Sequence, residues 1–146
     1  MTRVARGTVA GSGASGVGGD ERTTDEFRID EDRPSAKTVV LAIHGDADIR
    51  AAGELKDRLG EVIDDSPSAV VVDLTSATFL DSMTLGVFLS AMKRLRARGG
   101  RFRVVAPRAE IRRIFEMTLL DRVFELDVTR QDALAAASDG RKTAAA

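Results

Sequence analysis

The run Ala69-Val70-Val71-Val72-Asp73-Leu74 constrains this chain more than any other stretch. A strand with one solvated face alternates apolar and polar residues, whereas an unbroken run of valines fits a strand covered on both faces. A few residues later the period changes, and Leu85, Phe88, Leu89 and Met92 recur at the spacing of one helical face. Between them lies a polar corner, Thr78 to Gly86, with Asp81 placed to cap the helix and Ser82 and Thr84 in its first turn. A doubly covered strand that hands over to an amphipathic helix implies a layered α/β fold.

The flanking patterns extend that layering. Phe27 and Ile29 alternate with Glu26, Arg28 and Asp30, an edge-strand pattern expected to stop before the turn-forming Asp32-Arg33-Pro34-Ser35. Thr38 to Ile43 forms a second strand, and the short gap predicts an antiparallel hairpin. His44-Gly45-Asp46-Ala47-Asp48 then leads into a helix capped by Asp48, with Leu55, Leu59, Val62 and Ile63 as its buried stripe. Asp65-Ser66-Pro67-Ser68 breaks that helix before the central strand. The second helix ends in Lys93, Arg94, Arg96 and Arg98, cations suited to a helix C-terminus, and Gly99-Gly100 terminates it. Arg101 to Val105 is a strand, and Pro107 opens a helix that buries Ile111, Ile114, Phe115, Thr118 and Leu119. Val123 to Leu126 is a short edge strand, and Thr129 caps a last helix through Ala137 with a Thr129–Asp132 capping-box spacing. Strand and helix therefore alternate, which predicts a mostly parallel sheet with an antiparallel hairpin strand at one edge and helices packed on the sheet.

At 146 residues and 43% hydrophobic content, the chain is sized for one domain with a real core. The ordered unit is expected over 26–137, between a Gly-rich tail at 1–25 with no apolar period and a frayed end at 138–146. Lys+Arg 22 against Asp+Glu 23 leaves a net charge of -1, which provides no global attraction to nucleic acid or an anionic membrane. The absence of cysteine excludes disulfides, thiolate metal sites and cysteine nucleophiles. No apolar run approaches the roughly 20 residues of a membrane span, and no apolar core follows Arg3 and Arg6 as in a secretory signal. These features read as a cytoplasmic protein whose partner is another protein or a small ligand.

Catalysis finds little support. His44, the single histidine, would have to reach Ser82 with Asp46 or Asp73 behind it to form a triad, and Gly-x-Ser-x-Gly is absent. Asp46, Asp48, Asp73 and Asp81 all fall near ends of elements, which invites a Mg²⁺ site or a receiver-like phosphoryl-accepting pocket built on Asp46, Asp48 and Asp73. Helix capping explains Asp48 and Asp81 without a metal, and the strand ending Val105-Ala106-Pro107-Arg108 lacks the lysine a receiver needs. No phosphate-cradling glycine motif follows a strand, so no cofactor is expected. What remains is the hydroxyl-bearing helix start, where a phosphate would meet free backbone N–H groups and the positive end of the helix dipole. Its charge of about -1.5 to -2 beside Asp81 would repel a docked partner while the fold survives.

Val71-Val72-Asp73-Leu74 followed by Phe79-Leu80-Asp81-Ser82-Met83-Thr84-Leu85-Gly86 resembles the signature of STAS domains of the anti-sigma factor antagonist family, Asp-Ser-[Ser/Thr]-Gly-Leu-Gly. Gly45-Asp46-Ala47-Asp48 likewise resembles that family's Gly-Glu-Leu-Asp. The resemblance spans Glu26 to Ala137 and implies a non-enzymatic protein that binds an anti-sigma factor, usually a serine/threonine kinase of the histidine-kinase ATPase type, and so frees a sigma factor. It also implies control by phosphorylation, but Met83 occupies the position read as the phosphoacceptor, and Thr84 stands where a glycine usually follows. The switch is then relocated to Ser82 or Thr84, or lost in a constitutive binder, or the partner is different. Loss or relocation is the preferred reading. The expected docking face comprises Asp48, Thr75, Ser76, Thr78, Asp81, Ser82, Met83, Thr84 and Leu85. A small-ligand-sensing STAS module is a further alternative, and self-association is left open.

Overall fold

The structure, a computed structural model, describes residues 2–4 and 26–138. Its strands are β1 (Thr2–Val4), β2 (Arg28–Ser35), β3 (Thr38–Ala47), β4 (Ala69–Asp73), β5 (Ala77–Leu80), β6 (Arg101–Val105) and β7 (Glu125–Asp127). The helices are α1 (Ile49–Asp64), α2 (Ser82–Ala97), α3 (Ala109–Met117) and α4 (Arg130–Ser138), with a 3₁₀ turn at Leu120–Arg122. The sheet order is β1-β2-β3-β4-β6-β7, and β5 pairs with the far end of β3. β1–β2 and β2–β3 are antiparallel, and the remaining pairs are parallel, as the strand and helix alternation predicts.

Strand alternation sorts the valine-rich strands between two layers. Val39, Leu41 and Ile43 of β3, Val70 and Val72 of β4, and Phe102 and Val104 of β6 join the main core. There they meet Leu55, Leu59 and Ile63 of α1, Leu85, Phe88 and Leu95 of α2, and Ile111 and Phe115 of α3. Val40, Val71 and Val105 point to the other face, where Ala133 and Leu134 of α4 cover them. The unbroken Val70-Val71-Val72 run is thus explained by burial on both sides.

Several boundaries differ from the sequence pattern. β2 continues through Asp32-Arg33-Pro34-Ser35 to a turn at 36–37, because the pairing with β3 skips between Asp32 and Ser35. That irregularity accommodates Pro34, which has no N–H for a ladder. β2 is also not an edge, since the backbone of Thr2–Val4 pairs with Asp30 to Asp32. The remainder of the tail expected over 1–25, and the expected frayed end beyond Ser138, lie outside the described residues. β3 runs on to Ala47 with Gly45 at φ 82, a left-handed conformation that favours glycine. Thr118 and Leu119 are exposed rather than buried, because α3 ends at Met117 and Leu119 turns the chain at φ 62.

The expected terminator of α2 is realised. Gly99 has φ 84, and Gly100 donates from its N–H to the Leu95 carbonyl at 2.9 Å. A Cβ on Gly100 would stand 3.0 Å from the Pro67 carbonyl oxygen and closer still to Leu95, so glycine is required there by close approach.

Candidate functional site

At one end of the main layer α1 and α2 begin side by side, because the strands that precede them, β3 and β5, are paired. The pairing sets Asp46 opposite Phe79 and Ala47 opposite Leu80. The Ala47 carbonyl accepts from the Asp81 N–H at 3.2 Å and from the Thr84 hydroxyl at 3.1 Å, which locks the start of α2 to the end of β3. Asp48 caps α1 by accepting from the N–H groups of Arg50 and Ala51 at 3.0 and 3.3 Å. Asp81 caps α2 by accepting from the Thr84 N–H at 2.9 Å. Both caps expected from the sequence are present. Two helix N-termini, each with its positive dipole end, therefore converge on one corner.

The corner's surface is unusually apolar for a pair of helix starts. Ile49 is 62% exposed, Phe79 44% and Met83 54%, and each follows or precedes a capping aspartate by one or two residues. Ser82 is exposed beside Met83, and the Thr75-Ser76 turn and Thr78 are exposed at the start of β5. Thr78 donates its hydroxyl to Asp46, which fixes that segment against β3. Asp48 and Asp81 are half-buried.

Thr84 and Leu85 do not belong to this surface. Thr84 is fully buried with its hydroxyl donated to the Ala47 carbonyl, and Leu85 lies in the core. Position N3 of α2 faces inward because the helix packs on α1 and β6 and Thr84 bonds the end of β3, so Thr84 is unsuited to accept phosphate or touch a partner. Sequence reasoning also missed Ile49 and Phe79. The signal for Ile49 was its place on the Gly53–Lys56–Gly60 side of α1, away from the Leu55–Leu59 stripe. Phe79 gave no such signal, because a single phenylalanine beside Leu80 reads as core.

The acidic pocket does not assemble. Asp46 takes the Thr78 hydroxyl and Asp48 caps α1, while buried Asp73 accepts from Arg130 Nε at 2.9 Å and from the N–H and hydroxyl of Thr75. Among the described residues no three histidine or acidic side chains are placed to hold a metal ion. His44 is engaged elsewhere too, with Nε2 3.0 Å from Asp30. Arg28, hydrogen-bonded to the same Asp30, holds its carboxyl below the usual carboxylate range. A triad through His44, Ser82 and Asp46 or Asp73 is therefore not formed.

Residues 30–133 match the model of the STAS domain. This chain is a STAS-domain protein. The matched span runs from β2 into α4 and so contains both helix starts of the corner. The STAS chain is 35% identical over 102 residues to the anti-sigma-F factor antagonist RsfB of Mycobacterium tuberculosis, covering 70% of this chain and 83% of the relative. Its fold superposes on the crystal structure of an anti-sigma factor antagonist from Mycobacterium paratuberculosis with TM-score 0.72 and 33% identity, covering 79% of this chain and 97% of the other. The unphosphorylated form of the anti-sigma factor antagonist SpoIIAA shares the fold at TM-score 0.64 and 23% identity, over 74% of this chain and 92% of that one. The STAS protein thus belongs with the anti-sigma factor antagonists, the family its two motifs resemble. No helix among its described residues is long and apolar enough to cross a membrane.

Proposed function

We propose that this STAS protein works as an anti-sigma factor antagonist by docking an anti-sigma factor on the corner where α1 and α2 begin, without catalysing a reaction itself. The observation that carries this reading is the exposed apolar set Ile49, Phe79 and Met83, framed by Asp48, Asp81 and the Thr75-Ser76 turn. An apolar centre with a polar rim is the anatomy of a protein interface, and methionine adapts its shape to what it meets. The partner implied by the resemblance is a serine/threonine kinase of the histidine-kinase ATPase type. Docking then displaces the sigma factor in the cytoplasm, and residues 26–137 act as the binding unit.

Phosphate control runs through Ser82, since Thr84 is buried and Met83 has no hydroxyl. Ser82 is the first residue of α2, where a phosphate meets free N–H groups and the helix dipole, so the fold tolerates it. The same phosphate sets about -1.5 to -2 charges between Asp81 and Met83, in the middle of the apolar contact. A partner seated there would be left with unpaired buried charge.

Titration of kinase-type anti-sigma factors with wild type, Met83→Asp and Ser82→Glu tests both statements. The two variants are expected to bind at least about tenfold more weakly with unchanged thermal stability. Equal affinity for all three proteins would remove the corner as the docking face. Incubation with the kinase and ATP should place phosphate on Ser82 by mass spectrometry and none on Ser82→Ala; phosphate at another residue would end the Ser82 assignment.

A further inference from the structure

Among the described residues, Leu119 is the most anomalous exposed one. It holds φ 62 and ψ 15, a left-handed conformation unfavourable to a branched side chain, yet it is 58% exposed and gains little from packing. Met117 and Val123, also exposed, accompany it on the turn that leaves α3. This apolar knob has a basic rim. Arg96 of α2 donates to the Val123 carbonyl at 3.5 Å, Lys93 stands one turn before Arg96, and Arg113 stands one turn before Met117. Arg122 directly precedes Val123, and Glu116 and Asp121 are the acidic residues nearby. α2 itself has no acidic residue from Ser82 to Ala97.

The docking corner is the complement of this knob. Its apolar centre of Ile49, Phe79 and Met83 is rimmed by Asp46, Asp48 and Asp81, with Arg50 as the cation in its first helical turn. One end of the molecule therefore carries an apolar patch with an acidic rim, and the other an apolar patch with a basic rim. We propose that the Met117–Leu119–Val123 knob of one copy docks on the Ile49–Phe79–Met83 corner of a second copy. The contact is head-to-tail, so a pair of chains retains one free corner and one free knob and can add further copies. Leu119 is then the residue whose backbone strain is offset by a contact outside its own chain. Self-association occupies the corner, and an anti-sigma factor competes with it; that competition alone rests on the function proposed above.

The self-association is measured without any partner, which separates its failure from failure of the docking reading. Sedimentation of the full chain between about 10 µM and 1 mM should show an average mass that rises with concentration and falls with added salt, because the rims are solvent-exposed charges. Leu119→Gly suits the left-handed backbone, so it keeps the fold while removing the knob, and it should remain monomeric over that range. Arg122→Glu and Asp46→Lys should each remain monomeric alone. Mixed, they should form a one-to-one heterodimer, because the intact corner of the first meets the intact knob of the second. A monomeric wild type overturns the proposal, as does a Leu119→Gly chain that associates like wild type. A mixture of the two charge variants that stays monomeric also overturns it.

Discussion

Two sets of aspartates serve the same sheet and do different work. At the corner, Asp48 and Asp81 accept backbone N–H groups of two helices and stay half-buried beside exposed Ile49, Phe79 and Met83. On the opposite face Asp73 is buried, and Arg130, which it holds, also reaches Asp32 at 3.4 Å. Nearby Arg103 bonds Glu125 and Asp127 across β6 and β7. The first set shapes helix starts and leaves a surface open, whereas the second fastens α4 and β7 to the sheet and closes one. A carboxylate that follows a strand is therefore not a functional mark in itself. What distinguishes the corner is the apolar exposure around its caps.

The largest effect that separates the two regions is expected from Asp73→Ala. It removes one buried acceptor from Arg130 and from Thr75, which should cost about 2 kcal/mol of stability and roughly 8 °C in melting temperature. Because Asp73 also holds Thr75 at the rim of the corner, affinity for the anti-sigma factor should fall far less than in Met83→Asp, and a drop as large as that variant's would mean that the fastening face and the docking corner are not separate. Thr84→Val comes next. It keeps the shape but loses the hydrogen bond to the Ala47 carbonyl, for about 1 kcal/mol by denaturant titration, while phosphate incorporation at the corner stays at the wild-type level. Loss of phosphate in Thr84→Val would show that the buried hydroxyl is the acceptor after all.

Smaller effects appear as pH dependence on the far side of α1. Glu31 is buried, and burial alone would raise its carboxyl, but hydrogen bonds from Arg33 and Arg58 outweigh it and hold Glu31 below the usual range. Its contribution to stability is present above the ordinary carboxylate value and is lost as pH falls through the lower folded value. Glu54 is the opposite case, raised by burial, with Oε2 lacking a hydrogen-bond partner. Its contribution is present in acid and lost as pH rises through the raised value. Glu54→Gln should accordingly stabilise the protein at neutral pH by roughly a few tenths of a kcal/mol after solvent screening, with the gain vanishing in acid. A gain that persists unchanged at low pH would show that ionisation of Glu54 is not its source.

Much of this architecture was legible from local chemistry. The Val70–Val72 run, the Leu55–Leu59 and Leu85–Phe88 stripes, the caps Asp48, Asp81 and Thr129, and the Gly99-Gly100 stop each act within one turn or one strand. β5 was hidden, since Ala77 to Leu80 is short and is a strand only because the end of β3 lies beside it. The exposure of Phe79 and the burial of Thr84 were hidden for the same reason. Neighbouring positions on one short segment are assigned to solvent or core by what packs across from them.

The sequence by itself determined the order of elements apart from β1 and β5, the two-layer core and the place of the corner, because periodicity and capping are properties of neighbours along the chain. It also carried the STAS motifs around Asp48 and Asp81. Only the tertiary structure decided which residues of that corner face outward. Pairing of β5 with β3 turns Thr84 in towards the Ala47 carbonyl and leaves Ser82, Met83, Phe79 and Ile49 on the surface. That choice depends on contacts between segments more than thirty residues apart, for example Thr84 with Ala47, which no local pattern contains.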